Sequence, residues 1–244
     1  MLPDQVTVVV PTYNERENLE DIVRAVIAHG YRLMIVDDSS PDGTGEIANG
    51  LAERHEKVSV LHRANRQGLG SAYAAAFDQL LDGESDVIIE MDADFSHDPD
   101  DLPRLLEAIE AGGDLAIGSR YVPGGDTPHW PSVRRMISRG GNLYARVMLG
   151  IPVADTTAGF RAFRSEALRK LPYGSAEASG YGSQVEMAWR PSEAGLTITE
   201  VPIRFKDRTR RKSKMGLKIV FEAMWLVTVW GLGRFWRAIP LTPG

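Results

Sequence analysis

The sequence predicts an α/β fold, a mostly parallel sheet with helices on both faces. Two observations carry the prediction. Short apolar, β-branched runs alternate with segments whose apolar residues fall at helical spacing, and the alternation reads βαβαβαβαβ over the first half of the chain. The runs also end in polar or acidic residues, as strands do where a parallel sheet meets its ligand crevice.

In chain order, Val6–Val10 reads as a buried strand ended by Pro11. Asn18 to His29 places Leu19, Ile22, Val23, Val26 and Ile27 on one helical stripe. Leu33–Val36 is the next strand, Thr44–Glu53 a helix, Val58–Leu61 a strand and Gly70–Leu81 an Ala-rich helix. Asp86–Met91 (strand), Pro99–Ala111 (helix) and Leu115–Ser119 (strand) complete the regular part. Beyond Arg120, Arg134–Leu149 is helical, Asp155–Phe163 is a loop running into a strand, Gln184–Glu193 is a helix that Pro191 should clip or kink, and Leu196–Arg204 is a strand.

The 244 residues suit one large domain with an appendage: residues 1–215 as the domain and 216–244 as a C-terminal segment. The net charge of −5 gives no global pull toward nucleic acid or an anionic membrane. The exception is Arg204 to Lys218, where Arg204, Lys206, Arg208, Arg210, Arg211, Lys212, Lys214 and Lys218 face one acid, Asp207. By charge alone a solvated loop and a functional loop are equally good readings. The absence of cysteine excludes disulfides and thiolate sites. The first residues have no basic n-region and no long apolar run, so the chain is expected to stay on the cytoplasmic side. The tail Ile219–Ile239 is apolar and aromatic, but its uninterrupted part, Ala223–Gly233, falls short of the roughly 20 residues of a membrane span. It suits an interfacial helix or a terminal helix packed on the domain.

Thr12, Asp37, Asp38, Asp92, Asp94 and Arg120 all follow predicted strands, so one crevice can gather them. Asp92-Ala93-Asp94 offers two carboxylates to a hard divalent cation, which completes its shell with water and substrate phosphates. His97, close by, could be a ligand, but a lone His beside a loop is more often a bystander or a hydrogen-bond partner, and it is not counted among the ligands. Asp37 and Asp38 can accept from a base or a ribose hydroxyl. In Pro11-Thr12-Tyr13-Asn14-Glu15, Tyr13 can lie against a base and Glu15 can accept from base or ribose. Local capping explains part of the last two segments equally well.

Val10–Glu15, Asp37–Thr44 and Asp92–Asp94, in that order, resemble the family 2 glycosyltransferases of the GT-A fold, a Rossmann-like α/β arrangement. Met91–His97, Gly118–Tyr121, Ser138–Asn142, Asp155–Phe160 and the segment Asp207 to Met215 resemble the dolichyl- or polyprenyl-phosphate mannosyltransferases among them. The likeness runs from about Val6 to Met215. It implies inverting transfer of mannose from GDP-mannose to a polyprenyl phosphate, with Mg²⁺ or Mn²⁺ on Asp92 and Asp94. It implies donor contacts at Pro11, Tyr13, Glu15, Val36, Asp38, Asp92, Ala93, Asp94, Arg120, Arg208 and Lys214. Asp94, Arg120, Arg208 and Lys214 would carry catalysis. Arg120, Arg134 and Ser138 would meet the acceptor phosphate, with Arg135 and Arg139 as alternatives to Arg134. The implied setting is the cytoplasmic face of a membrane, with the C-terminal segment associating with it or with a membrane-anchoring protein partner. A different donor such as UDP-glucose, or a non-catalytic nucleotide-sugar-binding subunit, are the competing readings. The chain departs from the family at Ser96 (often Gln, an extra metal ligand), at Ser183 (apolar or aromatic), at Arg211 (small) and at Pro191 (within a helix).

The chemistry agrees with this role. A phosphate acceptor is already anionic at neutral pH, so no strong general base is needed. Bringing two anions together and stabilising a leaving diphosphate is work for cations and positioning, and Arg suits phosphate by its two-pronged geometry.

Overall fold

The computed structural model describes residues 2–173, 181–206 and 217–238. Seven strands form one sheet: β1 Val6–Thr12, β2 Arg32–Asp37, β3 Val58–His62, β4 Val87–Glu90, β5 Leu115–Ser119, β6 Arg161–Arg164 and β7 Ile198–Pro202, in the order β3-β2-β1-β4-β6-β5-β7. All neighbouring pairs are parallel except β6, which runs antiparallel to both β4 and β5. The helices are α1 Leu19–Ala28, α2 Thr44–Arg54, α3 Leu69–Leu81, α4 Leu102–Glu110, α5 Ser132–Leu149, α6 Ser165–Leu168, α7 Tyr181–Glu193 and α8 Leu217–Ala238.

Two apolar cores lie on opposite faces of the sheet because strand side chains alternate. Val6, Val8, Val10, Leu33 and Ile35 pack with the buried stripes of α1 and α4. Val9, Met34, Val36 and Ile88 pack with α3, α5, α7 and α8 on the other face. Each such Val, Ile or Leu contributes roughly 1.5–3 kcal/mol by leaving water, so the alternation fixes the register.

The expected α/β class and the two helical faces are present. β1 extends past Pro11 to Thr12, and the α7 helix runs through Pro191 to Glu193 rather than being clipped there. The strand expected at the end of Asp155–Phe163 is β6, Arg161–Arg164; its antiparallel place between β4 and β5 and the short α6 were not anticipated. The C-terminal tail forms the helix α8, and its packed reading is the one the contacts describe. α8 packs on α5 and α7, with Val227 and Trp230 buried, and among the described residues no helix is long and apolar enough to cross a membrane.

Candidate functional site

The carboxyl ends of β1, β2, β4 and β5 point the same way, and strand order changes direction between β1 and β4, the place where an open α/β sheet leaves a crevice. Around this rim the structure forms three groups of residues.

On the β1–β2 side, Pro11 and Thr12 end β1, and the Thr12 hydroxyl donates to Val36 O and to Asp37 Oδ1. The loops after the two strands are laced together: Asn14 N–H donates to Ser40 Oγ at 3.0 Å and Glu15 N–H to Thr44 Oγ1 at 3.1 Å. The Glu15 carboxylate accepts from Asn18 at 2.9 Å. Val36 is buried. Asp38 is buried too, and accepts from Arg63 Nη1 at 2.6 Å. Burial raises the Asp38 carboxyl above its ordinary value, against the opposing pull of Arg63. The Arg66 guanidinium lies 4.0 Å over the Tyr13 ring. Arg63 and Arg66 were not anticipated. Their signal, a pair of basic residues just after β3, is too common to stand out in a sequence.

Past β4, Asp92, Ala93 and Asp94 lead a tight loop. Asp92 is half-buried, Ala93 and Asp94 are buried. Ser96 N–H donates to Asp94 Oδ1 at 3.0 Å, and Asp92 N–H donates to His97 Nδ1 at 3.1 Å. That second bond commits the Nδ1 lone pair of His97, so the hydrogen-bond reading of His97 holds for this nitrogen. Ser96 Oγ is buried with no hydrogen-bond partner among the described residues. Two carboxylates and an unsatisfied buried oxygen in one loop fit a hard cation that keeps water and phosphate in its shell. Among the described residues there is no cluster of three or more His, Cys, Asp or Glu that would enclose a cation by protein alone.

On the β5 side, Arg120 is held by Asp155, donating from Nε to Oδ2 at 2.7 Å and from Nη2 to Oδ1 at 2.6 Å. Nη2 also donates to Thr157 Oγ1 at 2.8 Å. Tyr121 OH donates to Ser138 Oγ at 2.6 Å. Asn142 donates to Ser138 O and accepts from the Thr156 amide and hydroxyl. Three segments distant in sequence, 118–121, 138–142 and 155–160, thus converge on Arg120. The buried Trp130 carries the Arg134 guanidinium at 3.9 Å from its ring centre, with that of Arg120 at 5.4 Å. Arg135 instead donates to Thr127 O and Oγ1, and Arg139 lies 5.7 Å from the Tyr121 ring. Arg134 shares the Trp130 ring with Arg120 and approaches it to 3.9 Å, Arg139 shares Tyr121 with Arg120 at 5.7 and 5.3 Å, and Arg135 is turned to Thr127. Arg208, Lys214 and Arg211 lie outside the described residues.

Directly behind Asp92 is a buried polar layer that sequence reasoning missed. Glu90 in β4 stands opposite the fully buried Arg161 in β6. Arg161 Nη2 donates to Gln184 O and Thr156 O. Burial pushes the Glu90 carboxyl up to about 7, although Arg161 pulls it down. The signal was an acid inside an otherwise apolar strand.

This arrangement can place a nucleoside diphosphate on the cation loop and hold a second anion at the arginines. Comparison with known proteins agrees. The family model "Glycosyl transferase family 2" matches residues 7–172. The chain is 47% identical to the polyprenol monophosphomannose synthase of Mycolicibacterium smegmatis, over 95% of this chain and 89% of that protein. It is also 47% identical to the undecaprenyl-phosphate mannosyltransferase of Micrococcus luteus, over 96% and 97%. It is 38% identical to the dolichol-phosphate mannosyltransferase of Pyrococcus furiosus, over 89% of this chain and 61% of that one. Among solved structures, the mannosyltransferase PcManGT of Pyrobaculum calidifontis in complex with GDP-Man and Mn²⁺ shares the fold at TM-score 0.56 and 16% identity, covering 99% of this chain and 79% of that one. The mannosyl-3-phosphoglycerate synthase of Rubrobacter xylanophilus does so at TM-score 0.63 and 18% identity, over 98% and 78%. The matched family model spans more than half of the sequence and the named relatives cover nearly all of it: this chain belongs to glycosyl transferase family 2.

Proposed function

We propose that the protein transfers mannose from GDP-mannose to a polyprenyl phosphate with inversion, releasing GDP. The observation that carries this reading is the pairing, on one sheet rim, of the Asp92–Asp94 loop with the Arg120–Trp130–Arg134 cluster. The 47% identity to proteins named for this reaction supports the choice of substrates.

A phosphate oxygen of the acceptor attacks the anomeric carbon from the face opposite the diphosphate. The new C–O bond forms as the bond to the β-phosphate oxygen breaks, and GDP leaves with that electron pair, so an α-linked donor gives a β-linked product. Asp92 and Asp94 would hold Mg²⁺ or Mn²⁺, which supplies the positive charge that a leaving diphosphate needs. Pro11, Tyr13, Glu15, Val36 and Asp38 would seat the nucleoside. Arg134 and Ser138 would hold the acceptor phosphate beside Arg120, whose orientation Asp155 fixes. Arg208 and Lys214 are assigned to the phosphates on the resemblance alone.

We also read the protein as peripheral to the cytoplasmic face of a membrane. α5 exposes Val133, Met136, Ile137, Leu143 and Val147, and α8 exposes Trp225 (69%), Val229 and Leu232. Arg134, Arg135, Arg139 and Arg146 punctuate the α5 set. An apolar face edged by arginine suits lipid headgroups. Residues 216–244 are assigned to this association, with or without an anchoring protein.

The test is sugar transfer to a short polyprenyl phosphate in detergent, with GDP-mannose or UDP-glucose, each with Mg²⁺, with Mn²⁺ and with EDTA. EDTA-sensitive transfer from GDP-mannose alone is expected. Transfer from UDP-glucose alone would replace the donor, and no transfer from either would overturn the reading.

A further inference from the structure

The Asp92–His97 loop is held in a shape that its own backbone disfavours. Phe95 sits at φ +60°, in the left-handed region, which a bulky L-residue occupies only where its surroundings over-determine it. Two side-chain contacts close the loop around it: Asp94 Oδ1 accepts the Ser96 amide, and His97 Nδ1 accepts the Asp92 amide. The second spans the whole loop and ends on the backbone of a carboxylate assigned to the cation.

His97 is itself fixed from several sides. It is 2% exposed, stacked on Phe160 at 4.9 Å and 10°, and met edge-on by Phe205 at 5.6 Å and 71°. Phe205 lies in turn against Trp130 at 5.6 Å, the ring that carries Arg134. Lys206 fastens the loop's far side, its amide donating to Ser96 O at 3.2 Å and its ammonium to Asp98 Oδ2 at 2.7 Å. An imidazole nitrogen that accepts from an amide is unprotonated and has no second lone pair in the ring plane, so Nδ1 cannot also be a cation ligand.

We infer that His97 is a positioning residue of the transfer reaction: by accepting the Asp92 amide it sets the Asp92 carboxylate toward the cation, while its ring packs against the aromatic wall of the arginine cluster. The inference rests on the cation role proposed for Asp92 and Asp94.

Two substitutions separate the contacts. His97→Asn puts an amide oxygen near the place of Nδ1 and removes the ring; His97→Phe keeps a ring and removes the acceptor. Mn²⁺ binding in the presence of GDP is followed by the electron paramagnetic resonance of free Mn²⁺, and exchange of the Asp92 amide by hydrogen–deuterium exchange. His97→Phe is expected to weaken Mn²⁺ binding by about tenfold or more, the usual loss when a group that orients a ligand is removed. It should also speed exchange of the Asp92 amide. His97→Asn is expected to recover most of both. If His97→Phe does not fold, His97→Ala replaces it in the same comparison. Equal losses in the Asn and Phe variants, or wild-type affinity in the Phe variant, would overturn the proposal while leaving the cation site standing. A wild-type protein that binds no Mn²⁺ with GDP would overturn the cation site and the proposal together.

Discussion

Arg120 and Asp155 form a two-pronged ion pair at the rim of the sheet, with side chains only 8% and 0% exposed, and the Arg120 amide donates to the same carboxylate at 2.9 Å. A buried arginine oriented this way cannot swing to a new partner without leaving a buried carboxylate uncompensated. Asp155→Ala should therefore lower unfolding stability by roughly 3–5 kcal/mol, read from urea denaturation, and should reduce transfer at full substrate. Unchanged stability would mean that the pair is not buried in solution. Arg120→Lys keeps the charge but loses the fork, so it should lower turnover more than it lowers stability.

Asp94→Ala should abolish transfer and weaken Mn²⁺ binding, because only two carboxylates are available to the cation in this loop and Asp94 also receives the Ser96 amide. Asp94→Asn keeps that amide contact and removes the charge. Loss of Mn²⁺ binding in both variants, measured by titration calorimetry with GDP present, is the expected result. Wild-type rates in either would refute the metal assignment.

Arg134 and Arg135 are neighbours with different work. Arg134 lies on Trp130 beside Arg120, whereas Arg135 donates to Thr127. Steady-state kinetics with varied lipid phosphate should show Arg134→Ala raising KM for that substrate about tenfold, the loss of one charge-assisted contact worth roughly 1.5 kcal/mol. Arg135→Ala should act mainly on thermal stability. The reverse pattern would move the acceptor phosphate to Arg135.

Glu90 makes stability depend on pH. Its carboxyl ionises near 7 in the folded protein, against an ordinary value of 4.5, because burial disfavours the charge. A raised acid favours folding fully below the unfolded value, and that contribution is lost as pH rises through the folded one. Compared with Glu90→Gln, the wild type should therefore lose about 1–3 kcal/mol between pH 4.5 and pH 8. Thermal unfolding of both proteins across that range is the check. A constant difference would show that Arg161 fully offsets the burial.

The sequence by itself determined the α/β class, the two helical faces and the crevice at the strand ends, because alternation within strands and spacing within helices are local properties. It also marked Asp92, Asp94, Asp38 and Arg120, since polar residues that end apolar strands stand out. It placed a strand at the end of Asp155–Phe163 but not its partners: Arg161–Arg164 runs antiparallel between β4 and β5, a place that exists only once those strands are in the sheet. Nor did it reveal which arginine shares Trp130, that Asp155 orients Arg120, or that His97 closes the cation loop through the Asp92 amide. Those relations join residues far apart in the chain or depend on the left-handed turn at Phe95. The direction of a side chain, and so its partner, is decided by what packs around it, and that exists only once the sheet has formed.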